Sequence, residues 1–101
     1  MSVQLQHDRD VCTVTILGRF TFDVNRPFRN LYSQALDHES CRQLDMDLSG
    51  VEYLDSAALG MLLLVKERAD ASKKKIRLCG AQGLVLSILE VARFHEVFDF
   101  A

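Results

Sequence analysis

The hydrophobic period changes again and again along this chain, and that limits its folds more than any other feature. Val3, Leu5 and His7 alternate with polar residues, Asp8-Arg9-Asp10 offers a turn, and Cys12, Val14 and Ile16 then resume a period of two opposite Thr13 and Thr15. Such a pattern predicts a β-hairpin, whose second strand Gly18 is expected to close. Phe28, Leu31, Tyr32, Ala35 and Leu36 follow at three- and four-residue intervals, the spacing of an amphipathic helix. Asp23 or Asn25 is placed to cap that helix, and Pro27, the only proline, suits its first turn.

Leu44, Met46 and Leu48 return to strand spacing, with Asp45 and Asp47 on the other face. The apolar stretch from Met61 to Ala71 predicts a second helix. It is expected to bury Leu59, Leu62, Leu63 and Ala69 and to leave Lys66, Glu67 and Asp70 outside. Ile76, Leu78 and Cys79 make a further strand ended by Gly80. Gly83 precedes a third helix holding Leu84, Val85, Ile88, Leu89, Val91 and Ala92. Strands alternating with helices predict an α/β fold with right-handed crossovers. The expected core is a central mixed or parallel sheet of four to five strands with three to four helices.

The chain has 101 residues, 49% of them hydrophobic, enough for one domain over 1–101 that buries a core without disulfides or metal. A net charge of −2 gives no general pull toward nucleic acid. No run approaches the ~18 apolar residues of a membrane span. Met1-Ser2-Val3-Gln4 lacks the basic start and apolar core of a signal peptide, so the cytoplasm is the expected location. Cys12, Cys41 and Cys79 lie far apart, as do His7, His38 and His95, and no metal site or cofactor is expected from their spacing.

Ser56 is the residue whose placement points to chemistry. It stands between a strand-like run and an apolar helix, where a serine reads as an N-cap. A phosphate there would meet unpaired helix N–H groups and would add about −1.5 to −2 units of charge beside Asp55. The plain alternative is that Ser56 only caps. No Gly-x-Ser-x-Gly elbow and no glycine-rich phosphate loop is present, and no histidine is singled out as a base, so the chain is not expected to be an enzyme. Asp47 at a strand end admits a receiver phosphorylated on aspartate, but the acidic pair after the first strand is missing and the chain is short for five β–α units. Stability of the phosphate to hydroxylamine separates the two.

Three further features stand out. Gly60 inside the second helix costs about 1 kcal/mol relative to alanine and suggests a close backbone approach. Lys73-Lys74-Lys75 with Arg77 reads as cations at a helix C-terminus, or as a dock for an acidic partner. The third helix is apolar on more than one face, and Val97, Phe98 and Phe100 follow it, which suits core and, in part, an interface.

Asp47-Leu48-Ser49-Gly50-Val51, then Tyr53-Leu54-Asp55-Ser56, then Leu59-Gly60 together resemble the signature of the bacterial STAS domain of anti-sigma-factor antagonists. Gly18-Arg19-Phe20-Thr21 and Phe94-His95-Glu96-Val97-Phe98 also fit, so the likeness covers nearly the whole chain. It departs from the pattern at Ala57 and Ala58, where the family often has Ser or Thr and then Gly. It departs again at Thr21, where many antagonists carry Asp.

The resemblance implies that Ser56 is phosphorylated by a partner kinase. It also implies a docking surface drawn from Thr21, Asp23, Asn25, Arg26, Asp55, Ser56, Ala57, Ala58 and Leu59. The implied partner is a serine kinase of the anti-sigma-factor type, which uses ATP and Mg²⁺ in its own site. A metal-dependent serine phosphatase would reset the switch; a sigma factor, and so transcription, is the family's usual beneficiary, although an antagonist can also compete for other regulators. The alternative within the same fold is a non-switching scaffold or a nucleotide- or ligand-sensing module, for which the sequence supplies no nucleotide motif.

Overall fold

The computed structural model describes residues 2–101. Strand β1 (Ser2–Asp8) turns at Arg9-Asp10 into β2 (Val11–Phe20), and the two pair antiparallel from Ser2–Leu17 to Asp8–Val11. A short 3-10 turn (Phe22–Val24) leads into helix α1 (Asn25–Asp37). Then come β3 (Gln43–Asp47), β4 (Val51–Leu54), α2 (Ser56–Ala71), β5 (Lys75–Cys79), α3 (Gly83–Val91), a second 3-10 turn (Phe94–Glu96) and β6 (Asp99–Phe100). The sheet runs β1-β2-β3-β5-β6, and all pairings after the hairpin are parallel. The expected α/β fold with a mixed sheet is the one observed.

Among the described residues there are six strands and three α-helices. The two strands that periodicity does not reveal are β4 and β6. Both are too short to show an alternation, and β4 buries its first and last residues rather than every second one. β4 pairs with the far end of β2, where the register shifts between Gly18 and Arg19. Gly18 therefore does not close β2. It forms a bulge at φ +85, a backbone region that glycine enters without strain, and its N–H donates to the Gly50 carbonyl at 2.9 Å.

Cys12, Val14, Ile16, Leu44, Met46, Ile76 and Leu78 share the apolar face of the sheet and are buried. Phe28, Tyr32, Ala35 and Leu36 of α1, Met61, Leu62, Val65 and Ala69 of α2, and Val85 and Leu89 of α3 join them in the core. The expected face of α2 is rotated: Leu63 is exposed, Leu59 only half-buried, and Met61 and Val65 face inward instead. An unbroken apolar run hides the phase of a helix, because Leu62, Leu63 and Leu64 look alike in sequence. Neither Asp23 nor Asn25 caps α1: Val24 takes that position and no side chain bonds the first turn.

Part of the basic run is structural. Lys74 Nζ donates to the carbonyls of Leu36 at 2.6 Å and His38 at 2.8 Å, so it caps α1 rather than its own helix. Arg77 meets Asp45 on the polar face of the sheet through two bonds of 3.0 and 2.8 Å, and Gln43 adds a third donor at 2.9 Å. Hydrogen bonding to Arg77 holds the Asp45 carboxyl below its ordinary value, although burial pushes it the other way. A carboxyl depressed on folding adds stability above its unfolded value and loses it as pH falls through the folded value. Arg77→Met removes the depressing partner while burial still acts. The variant is therefore expected to be less stable than wild type at neutral pH, and the difference should narrow as pH falls through the folded value of Asp45, as read by urea unfolding at neutral and acid pH.

Gly60 has an expected outcome of its own. A Cβ added there meets nothing within 4 Å, so the close approach inferred from the sequence is not found within the chain. Gly60→Ala should raise stability by about 1 kcal/mol in denaturant titrations, since alanine loses less backbone freedom in a helix.

Candidate phosphorylation and docking site

The parallel register of β2 and β4 builds the site. Arg19 lies opposite Tyr53 and Phe20 opposite Leu54, so both strands release their chains at the same end of the sheet. Beyond Phe20 comes Thr21 and the turn into α1. Beyond Leu54 comes Asp55 and the head of α2. The N–H of Asp55 donates back to the Phe20 carbonyl at 3.4 Å, which ties the two exits together. Arg19 reinforces them by lying over the Tyr53 ring, 4.9 Å from its centroid.

At the head of α2 the cap is Asp55, not Ser56. Its carboxylate accepts the N–H of Ala58 at 2.8 Å, and its carbonyl accepts the N–H of Leu59 at 3.2 Å. Ser56 is the first residue of the helix and is exposed. The backbone explains the order: Asp55 is extended at φ −101, ψ 179, the geometry from which a cap side chain reaches the third residue on. In sequence, Asp and Ser are equally good caps side by side, so only the backbone decides between them. Asp55→Ala should therefore cost about 1 kcal/mol of stability while Ser56→Ala costs close to nothing, as read by thermal or urea unfolding.

The cap leaves the N–H groups of Ser56 and Ala57 without a protein acceptor among the described residues. They stand at the positive end of a 16-residue helix. Asp23 and Glu52 are exposed and line one shallow depression with Gly18, Arg19 and Thr21. Asn25 and Arg26 line another with Arg29 and Asn30 along α1.

The residues singled out from the sequence divide accordingly. Asp23, Arg26 and Ser56 are exposed, and Thr21, Asn25, Asp55, Ala57 and Leu59 are half-buried. Ala58 is fully buried and faces the core, which removes it from the surface. Phe22, which sequence reasoning passed over, is 65% exposed in the 3-10 turn that follows β2. An aromatic between Thr21 and Asp23, where no core period demands one, was the available signal. Asp47, considered as a phosphoacceptor, accepts the N–H and hydroxyl of Ser49 at 3.0 and 2.7 Å.

A family model described as "Mlab, STAS domain" matches residues 3–99. The chain belongs to the STAS-domain family. This STAS domain is 35% identical over 94 residues to a STAS-domain containing protein of Pseudomonas aeruginosa strain UCBPP-PA14, covering 93% of this chain and 91% of that one. Its fold is similar to that of an anti-sigma factor antagonist from Mycobacterium paratuberculosis, with TM-score 0.85, 16% identity and coverage of 98% and 83%. It is similar again to the phosphorylated form of the Bacillus cell fate determinant SpoIIAA, with TM-score 0.76, 14% identity and coverage of 99% and 91%. Identities this low make the two structural likenesses statements about fold. Among the described residues, no helix is long and apolar enough to cross a membrane.

Proposed function

We propose that this STAS domain is an anti-sigma-factor antagonist whose docking is gated by phosphorylation of Ser56. The observation that carries the reading is the exposed Ser56 hydroxyl at the head of α2, next to two unpartnered N–H groups and beside the loop from Thr21 to Arg26. Family membership supports it, as does the likeness in fold to antagonists, one of them solved with its phosphate in place.

Unmodified, the surface of Thr21, Phe22, Asp23, Arg26, Ser56 and Leu59 docks a serine-kinase regulator of the anti-sigma type and keeps it from its other client. The kinase brings ATP and Mg²⁺. The STAS domain is its substrate rather than an enzyme: Asp55 is spent on the cap, and His7 and His38 are engaged with Ser40 instead of Ser56. Phosphorylation adds a dianion next to Asp55, and the buried interface cannot hold that charge unpaired. A metal-dependent serine phosphatase restores the binding form.

One observation favours a second reading, a constitutive scaffold. Leu59, Leu84, Ile88, Val91 and Ala92 line an apolar groove between α2 and α3, and Val91 is 86% exposed. A partner seated there would be held by contacts that do not depend on the charge at Ser56. Affinity capture from the native lysate with Ser56→Ala and Ser56→Asp as paired baits separates the readings. A kinase-like regulator retained by the alanine bait and lost from the aspartate bait supports the switch. The same partners on both baits would leave the scaffold.

A further inference from the structure

We propose that His7 and His38 form a surface site for a divalent transition-metal ion of the imidazole-preferring class, Ni²⁺, Cu²⁺ or Zn²⁺. The two residues are remote in sequence, and the fold sets their rings in edge contact with centroids 4.6 Å apart. His7 Nε2 lies 3.2 Å and His38 Nδ1 2.8 Å from one and the same atom, the Ser40 hydroxyl oxygen. A hydroxyl has a single proton to give, so it can donate to one ring only and must accept from the other. His38 Nδ1 also accepts the Ser40 N–H at 3.3 Å, so it is the ring that takes the hydroxyl proton and His7 Nε2 the one that donates. An ion needs His7 in its other neutral tautomer, which leaves two imidazole nitrogens converging on one point, and a neutral imidazole nitrogen is a common metal ligand.

Both ligands stand on fixed backbone. His7 belongs to β1, paired with Cys12 of β2. His38 is the C-cap of α1, and its carbonyl accepts bonds from Lys74 Nζ at 2.8 Å and Cys41 N–H at 3.1 Å. An ion replacing the Ser40 hydroxyl between the nitrogens needs each contact to shorten to about 2.0–2.1 Å. All three side chains are exposed, which leaves them free to rotate by that amount.

The donor set narrows the class of ion. Imidazole suits Ni²⁺, Cu²⁺ and Zn²⁺ rather than Ca²⁺ or Mg²⁺, which take oxygen ligands. The nearby sulfurs do not compete, because Cys12 and Cys41 are buried and burial pushes the Cys12 thiol up to about 12. Among the described residues no group of three or more His, Cys, Asp or Glu is arranged to hold a metal, so water completes the coordination and the site is open and exchangeable. It lies at the start of β2, and Ser56 lies beyond the opposite end of that ten-residue strand. The proposal therefore stands or falls apart from the phosphoserine switch.

The test is calorimetric titration of the tag-free chain with NiCl₂ and ZnCl₂, repeated for His7→Ala, His38→Ala, His95→Ala and Ser40→Ala. We expect one ion per chain for Ni²⁺ and for Zn²⁺. Affinity should fall about tenfold or more when either His7 or His38 is lost, because even an outer-shell partner can be worth that much. His95→Ala should change nothing, and Ser40→Ala should keep or strengthen binding by clearing the space between the rings. Under Ni²⁺ the ring resonances of His7 and His38 should broaden together. Circular dichroism checks each fold, and His38→Gln stands in if the alanine variant is unfolded. The proposal is overturned if no saturable binding occurs. It is equally overturned if binding survives loss of both histidines, or disappears only when the thiols are alkylated.

Discussion

Ser56→Asp should bind the regulator about a hundredfold more weakly than Ser56→Ala, a difference of about 2.7 kcal/mol, with both variants as stable as wild type. The equality in stability follows from the cap. Asp55 already satisfies Ala58 N–H, so neither substitution removes a hydrogen bond on which α2 depends. A carboxylate at the first helical position even favours the helix, since it sits at the positive end of the dipole. The loss in binding must then come from the interface, where a second negative charge arrives beside Asp55 and is stripped of water. Isothermal titration of the two purified variants against the regulator reads the difference directly. Equal affinities would remove electrostatic gating from the reading, and a matching drop in stability would show that Ser56 supports the fold.

Phe28→Ala is the other large effect, and it falls on stability. Phe28 is fully buried at the middle of an aromatic row, 5.0 Å from the Phe20 ring and 5.1 Å from Tyr32, both edge-on. Truncating it removes the burial of the ring, two aromatic contacts and leaves a cavity, a loss of about 3–5 kcal/mol. Against the 5–15 kcal/mol that holds a typical domain together, that is a large share. Guanidinium unfolding should show the midpoint displaced with an unchanged slope. The cost reaches the proposed docking surface too, because Phe20 ends β2 and Phe28 anchors the first turns of α1, and the segment between them carries Thr21 to Arg26. A loss under 1 kcal/mol would mean that the neighbouring rings close over the gap.

How much of this was legible beforehand depends on which residues carry the signal. The hairpin, β3, β5 and α1 announce themselves through period, with Cys12, Val14 and Ile16 for a strand and Phe28, Tyr32 and Leu36 for a helix, while α2 and α3 show only as apolar stretches. β4 and β6 do not, because four and two residues are too few to repeat anything. The rotation of α2 was hidden for the opposite reason, since its leucines are too many to show a phase. At the site, the motif around Asp55 and Ser56 was visible as letters. Which of the two is the cap, and that Ala58 points inward, are facts of backbone geometry that letters do not hold. Phe22 and the His7–His38 pair depend on what the sheet brings together, and Lys74 finds its partners only after α1 and α2 have packed.

The pairing of β2 with β4 has one more consequence. The two segments at the proposed dock, Thr21–Arg26 and Asp55–Leu59, are separated along the chain by α1 and β3 and become neighbours only through that ladder. The dock is a conformational epitope, which a short peptide around Ser56 cannot reproduce. It is also modular. One segment carries the proposed phosphoacceptor, and the other can change its side chains without touching it, so under the proposed function partner choice and switching can be revised separately on the same scaffold.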